Sequence, residues 1–153
     1  MTFLLDVNVL IALIDPGHNF NDAAHRWLTG SEDRLWATCP MTENGALRII
    51  GNPRYRNFPG SPIPASEALS DLRSLKGHSV WPDDISILDQ NFIDFSRLLT
   101  SGQITDSYLL ALAVGHGGQL ATFDRRLITD AVRNGAQGLH LIGPGAEESP
   151  SVG

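Results

Sequence analysis

Short apolar runs alternate with segments of helical periodicity along most of this chain. Apolar, strand-like runs occupy residues 3–5, 35–37, 79–81, 119–123 and 139–142. Helical patterns occupy residues 7–14, 22–29, 40–50, 65–75, 88–99 and 106–115, with Pro40 in a first turn and Thr105 as the N-cap of the last helix. This alternation predicts an α/β fold with a mainly parallel sheet covered by helices on both faces.

The length of 153 residues suits one domain, because two smaller halves would each lack a sufficient core. We expect the domain to span residues 1–142 and residues 143–153 to form a flexible C-terminal tail. Residues 51–64 hold four prolines and two glycines, which predicts an exposed loop rather than a linker.

Four acidic residues fall where this architecture would bring them together. Asp6 closes the first strand and Asp124 closes the fourth, while Glu43 and Asp106 lie in the first turns of helices. Strand carboxyl ends and helix starts share one edge of an α/β sheet, and ligands bind beyond that edge. For any one acid in a first helical turn, compensation of the helix dipole is an alternative explanation.

Carboxylates that share a pocket raise one another's pKa values unless a cation intervenes. Oxygen ligands favour hard ions, so the predicted cofactor is Mg²⁺, with Mn²⁺ as a substitute, and the predicted reaction is phosphodiester hydrolysis. Asn8 and Thr122 are candidate supporting residues that could orient Asp6, Asp124 or a water. A helix cap for Asn8 and simple burial for Thr122 are the competing interpretations.

The net charge of −6 argues against tight, non-specific binding of nucleic acid. Carboxylates that bind a cation would, however, make the formal charge of the metal-free protein more negative than that of the metal-bound protein. Arg54 and Arg56, in the proline-rich loop, are candidate substrate contacts or else solvated side chains. Cys39 is the only cysteine, which excludes an intrachain disulfide and a thiolate zinc cluster. The apolar runs are short and a charge occurs early, so we expect a cytoplasmic protein without a membrane span or signal peptide.

Four ordered segments of the sequence resemble the PIN-domain ribonucleases, and most closely the VapC-type toxins of toxin–antitoxin pairs. They are residues 5–10 (LDVNVL), 39–45 (CPMTENG), 104–113 (ITDSYLLALA) and 120–124 (LATFD). The resemblance implies a PIN-like three-layer α/β/α sandwich, magnesium-dependent cleavage of RNA and a homodimer. It also implies a cognate antitoxin that occupies the active-site groove. On this resemblance Asp6, Glu43, Asp106 and Asp124 are the catalytic and metal-binding residues, and Asn8 and Thr122 match supporting positions.

Other classes place an aspartate after the first strand of a parallel sheet. Phosphatases with an aspartate nucleophile and phospho-acceptor domains each need a lysine at the end of a later strand, whereas Lys76, the only lysine, precedes the third strand. A PIN-like module that binds RNA or protein without catalysis is a further alternative, which the presence of all four acids disfavours. Flap-type DNA nucleases share the broader architecture but are larger.

Overall fold

The computed structural model describes residues 1–143, so the predicted tail, except Gly143, lies outside the described residues. The five strands are β1 (Thr2–Leu5), β2 (Leu35–Thr38), β3 (His78–Val80), β4 (Gln119–Thr122) and β5 (Leu139–Leu141). They form one sheet in the order β3-β2-β1-β4-β5, and every neighbouring pair is parallel. The predicted α/β fold is therefore confirmed, with a sheet that is parallel throughout.

Helices cover both faces of this sheet. They are α1 (Val7–Ile14), α2 (Asn21–Thr29), α3 (Pro40–Ile50), α4 (Ile63–Arg73) and α5 (Gln103–Gly115). Successive strand residues point to opposite faces, so Leu5 packs with the cluster formed by α1 to α4 while Leu4 packs with the cluster built on α5. The result is the predicted three-layer sandwich. Within residues 1–143, no helix is both long enough and apolar enough to cross a bilayer.

The helix predicted over residues 88–99 is wrong. The structure has turns there, with a single 3₁₀ turn at Phe95–Arg97. Aspartate side chains compete for the backbone: Asp89 accepts from the amide of Asn91 at 2.9 Å, and Asp94 accepts from the amide of Ser96 at 3.1 Å. Such local bonds favour turns over a continuous helix.

Thr105 is not the N-cap of α5, which begins two residues earlier at Gln103, after Gly102. The Gln103 side chain stabilises this start, because its carbonyl oxygen accepts from the amides of Leu99 and Thr100 at 2.8 and 3.0 Å. Asp106 remains in the first turn of the helix. Pro40, by contrast, occupies the first position of α3 as predicted.

The strand order reverses direction between β1 and β4. From β1 the chain proceeds outward to β2 and β3 on one side, and β4 and β5 lie on the other. A crevice beyond the carboxyl ends of the two central strands is the usual ligand site of such sheets. Residues that follow β1 and β4 therefore lie at the position where this fold most readily builds a site.

Candidate active site

Asp6 lies directly after β1 and caps the start of α1. Its backbone is extended (φ −64°, ψ 159°), which turns the side chain back so that Oδ1 accepts from the amide of Val7 at 2.8 Å. Oδ2 accepts from the hydroxyl of Thr122 at 2.8 Å. The residue is only 6% exposed. Asp6 is thus a buried carboxylate held by one donor on each oxygen.

Thr122 connects Asp6 to two other candidate residues. Its Oγ1 accepts from the side-chain amide of Asn8 at 3.0 Å and from the backbone amide of Asp124 at 3.0 Å. The Asn8 carbonyl oxygen accepts from the amide of Phe123 at 3.2 Å, so this side chain bridges α1 and the chain after β4. Because its acceptor capacity is used by these amides, Thr122 presents its proton to Asp6. Asn8 and Thr122 therefore lie together around Asp6, at the positions expected for supporting residues.

Three aspartates interact electrostatically at this edge. Burial, together with the neighbouring charges of Asp6 and Asp124, raises the pKa of Asp106 to about 6. Burial also raises the pKa of Asp6, and Asp124 adds to the effect, while the bonds from Thr122 and Val7 oppose it. Asp6 and Asp106 line the same cavity, and the Thr122 hydroxyl that donates to Asp6 also accepts from the amide of Asp124. The structure therefore brings Asp6, Asp106 and Asp124 together.

Glu43 is placed differently from the aspartates. Its Oε2 accepts from the hydroxyl of Thr38 at 2.7 Å, and Arg73 of α4 lies 3.3 Å from the same oxygen. Since Thr38 donates to Glu43, the contact of 2.7 Å between Thr38 Oγ1 and His78 Nε2 requires that His78 donate. Glu43 thus lies at the end of β2, bound to Thr38 and Arg73.

A cavity of about 780 Å³ opens beside Asp6 and Asp106. Its wall also contains Asp83, Asn44 and Arg48, none of which was among the predicted site residues. Asp83 follows β3 and accepts from the amide of Met41 at 3.2 Å, so the strand-end rule that selected Asp6 would also have selected it. Asn44 and Arg48 are one helical turn apart, a spacing that places them on one face of α3.

Arg54 and Arg56 lie at the other end of α3. Both are exposed and follow the last residue of that helix. Between them, Tyr55 donates its hydroxyl proton to Asp15, the residue that ends α1. Because α1 has eight residues, its two ends are about 12 Å apart. The structure therefore does not bring the loop arginines together with the aspartates.

The donor set suits a hard divalent ion. Within residues 1–143, no group of three or more His, Cys, Asp or Glu side chains is arranged to hold an ion alone. Mg²⁺ commonly uses only one or two carboxylates and completes its shell with water and substrate phosphate. The repulsion that raises the pKa of Asp106 is the field that a cation would relieve. The residues present therefore fit such an ion.

Comparisons with known proteins agree with this architecture. The sequence model of the PIN domain family matches residues 3–131 of this chain. Ribonuclease VapC44 of Mycobacterium tuberculosis is 45% identical over 141 residues, covering 92% of this chain and 98% of that protein. Ribonuclease VapC39 of the same organism is 42% identical over 131 residues, covering 86% and 94% respectively.

A solved structure gives the same result for the fold. The crystal structure of M. tuberculosis VapC20, described as a sarcin-ricin loop cleaving toxin, superposes with a TM-score of 0.56 at 14% identity, covering 79% of this chain and 87% of that chain. At that identity the likeness shows the fold alone. The domain match and the two relatives establish that this chain belongs to the PIN-domain family, as one of its VapC-type members.

Proposed function

We propose that this protein is a divalent-metal-dependent endoribonuclease and the toxin component of a toxin–antitoxin module. Relatives that cover nearly the whole chain carry the name ribonuclease. The observation that carries the proposal is the convergence of aspartates at the switch point of the sheet, where Asp6 and Asp106 line one cavity and Thr122 links Asp6 to the amide of Asp124. Carboxylates in this arrangement suit phosphodiester hydrolysis, because that reaction needs a bound cation beside the phosphate.

Asp6 and Asp106 would hold Mg²⁺, or Mn²⁺ in its place, with Asp124 and Glu43 completing the four-carboxylate site. When bound, the ion lowers the pKa of a water and stabilises negative charge on the phosphate oxygens. Glu43 is held by the Thr38 hydroxyl at 2.7 Å and by the Arg73 guanidinium at 3.3 Å.

The other residues keep this arrangement in place. Thr122 fixes the Oδ2 side of Asp6, and Asn8 fixes Thr122. The pKa of Asp106 is raised to about 6, and a bound cation would favour its ionised form, because an opposite charge stabilises the carboxylate. The protein therefore supplies an oriented, partly buried set of carboxylate oxygens whose mutual repulsion a bound cation would relieve.

The biological setting is part of the same proposal. By the family resemblance the protein acts in the cytoplasm as a homodimer, cleaves RNA, and is neutralised by a cognate antitoxin protein that occupies the active-site groove.

The enzymatic proposal can be tested by substrate and metal selectivity. Purified protein would be incubated with structured RNA, DNA and a phosphomonoester, each with Mg²⁺, Mn²⁺ or a chelator. We expect cleavage of RNA alone, abolished by the chelator and by Asp106→Asn. Cleavage by Asp106→Asn at the parent rate would contradict the mechanism, and hydrolysis of the phosphomonoester alone would contradict the substrate class.

The toxin role is tested separately, in cells. Induced expression is expected to slow bacterial growth, whereas Asp6→Ala, which removes a proposed metal ligand, is expected to leave growth normal at equal protein level. Equal growth with both proteins would refute the toxin role while leaving the nuclease proposal standing.

A further inference from the structure

The cavity beside the aspartates has an uneven distribution of charge. Three carboxylates line it, from Asp6, Asp83 and Asp106, and Arg48 is the only basic residue in its wall. The whole chain carries a net charge of −6, so no general attraction brings a polyanion to this surface. A phosphate chain entering the cavity would meet repulsion everywhere except beside Arg48.

Helix α3 presents Arg48 to the cavity together with Asn44. These residues share one face with Met41 and Gly45, which also line the cavity. At Gly45 this face packs closely on the start of α1, where a Cβ atom would come within 3.0 Å of Val7 Cγ2. Val7 is the residue after Asp6, so α3 is anchored against the aspartate site. Arg48 lies about 4.5 Å further along the helix axis.

Arg48 is available to bind a ligand. Its side chain is exposed, and no hydrogen bond or ion pair within residues 1–143 involves it. Two other arginines, by contrast, form ion pairs: Arg73 with Glu43 at 3.3 Å and Arg97 with Asp94 at 3.4 Å. A guanidinium without a partner, set into the wall of an otherwise acidic cavity, is suited to bidentate binding of phosphate.

We propose that Arg48 and Asn44 form a phosphate-binding subsite that holds the RNA backbone beside the phosphodiester to be cut. This inference rests on the proposed ribonuclease function and deepens it. Arg48 supplies charge and a planar pair of donors, and the Asn44 amide adds a neutral donor one turn closer to Asp6. RNA is favoured over a protein carboxylate as the ligand of Arg48, because the same cavity contains the aspartates that are proposed to act on a phosphodiester.

The subsite is tested by binding, which does not require turnover. In an Asp106→Asn background with chelator, the affinity of a fluorescein-labelled, random-sequence single-stranded RNA would be measured by anisotropy. Arg48→Ala is expected to weaken binding about fivefold and to reduce the slope of log affinity against log salt by about 0.7, the loss of one phosphate contact. Arg48→Lys should retain part of the affinity, and Asn44→Ala should lose about twofold.

Lys76→Ala is the matched control. It removes one positive charge on the same chain, but Lys76 precedes β3 at the opposite edge of the sheet, and only its backbone carbonyl is engaged, by Trp36. We expect parental affinity and an unchanged salt slope for this variant. Thermal melting of each variant checks that the fold is retained. Because Arg48 is exposed, we expect its substitution to leave the melting temperature close to that of the parent.

Three results would overturn the subsite. They are parental RNA affinity in Arg48→Ala, an equal loss in Lys76→Ala, or a larger loss in Arg54→Ala or Arg56→Ala, which would move the contact to the far end of α3. Parental RNA affinity combined with lost binding of a purified antitoxin would assign Arg48 to the protein partner instead. A cleavage assay distinguishes failure of the subsite from failure of the nuclease proposal. Arg48→Ala should raise KM with little change in kcat, whereas Asp106→Asn must abolish turnover if the nuclease proposal holds.

Discussion

Two aspartates bracket helix α1, and both are only 6% exposed, yet their surroundings shift their pKa values in opposite directions. Burial is the largest influence on each and raises the pKa. At Asp15 it is outweighed by donors, since the side chain accepts from Tyr55, from Asn57 at 3.0 Å and from the amide of Gly17 at 2.9 Å. Asp6 has fewer donors and carboxylate neighbours, so its pKa stays raised.

The difference separates a structural aspartate from a candidate functional one. Asp15 has its charge compensated within the fold and ties the proline-rich loop to the end of α1. The charges of Asp6 and its carboxylate neighbours are incompletely compensated within the fold, and an added cation would compensate them. Burial alone therefore does not identify a site; the balance of donors and like charges does.

The largest difference in activity is expected when the carboxylates of Asp6 and Asp15 are neutralised one at a time. Asp6→Asn is expected to lower RNA cleavage by about 10²-fold or more, because a metal ligand is lost. Asp15→Asn should stay within about threefold of the parent, measured well below its melting temperature. Comparable activity losses in both variants would remove the distinction.

A second test uses pH and metal together. Because the pKa of Asp106 is raised to about 6, protons and cations compete for this carboxylate below that pH. The Mg²⁺ concentration for half-maximal cleavage should rise up to about tenfold per pH unit below 6, and level off above it. A Mg²⁺ requirement that does not change over about one pH unit on either side of 6 would contradict the coupling.

Stability should respond with opposite signs at the two positions. Asp15→Asn is expected to lower the free energy of unfolding by about 1–3 kcal/mol at neutral pH, because an amide cannot accept from all the donors on both oxygens. Asp106→Asn is expected to raise it by about 1 kcal/mol in chelator, since it removes a carboxylate whose ionisation is unfavourable. Chemical denaturation at one protein concentration measures both, and like signs would refute the contrast.

The pH dependence of stability sharpens the same contrast. The lowered pKa of Asp15 contributes stability above the unfolded value of 3.8, which is lost as pH falls through the lowered folded pKa. The raised pKa of Asp106 works in reverse: stability declines as pH rises from 3.8 to about 6. Denaturation should show a flattened acid loss below pH 3.8 in Asp15→Asn and a flattened decline between pH 3.8 and about 6 in Asp106→Asn.

The smallest expected effect concerns one bond to Asp15. Tyr55→Phe removes a hydroxyl but keeps the ring, and should lower the free energy of unfolding by about 1 kcal/mol without changing cleavage. Thr29 offers a matched control, because its hydroxyl makes a single exposed bond to the His25 carbonyl, and Thr29→Val should have a smaller effect. A larger effect at Thr29 would show that Asp15 gains little from its tyrosine.

The sheet and the strand-end acids could be predicted from the sequence because both follow from local patterns. Asp6 and Asp124 follow apolar strands, and the edge they share is fixed by parallel topology. Asn8 and Thr122 were candidates for the same reason, and their contact at 3.0 Å brings them to Asp6. These positions required only the order of elements, which periodicity supplies.

What escaped prediction depends on tertiary packing. The partner of Glu43 is Arg73, on a helix 30 positions away, and no spacing rule connects them. The binding of Asp15 by Tyr55 requires the course of a proline-rich loop. The false helix over residues 88–99 arose because apolar periodicity was weighted above the turn-forming aspartates. Arg48 could not be predicted as a cavity residue, because periodicity places it on a face of α3 but does not show that this face lines a cavity with Asp6 and Asp106.

If Asp6 and Asp124 lie beside Asp106, their charges raise the pKa of Asp106 until a cation binds. The most direct measurement is a ¹³C NMR titration of the Asp106 carboxyl, in the parent and in Asp124→Asn, with and without Mg²⁺. A midpoint near 6 is expected in the metal-free parent, falling in Asp124→Asn and falling further on addition of Mg²⁺. An ordinary midpoint close to 3.8, unmoved by the substitution or by the ion, would contradict the account.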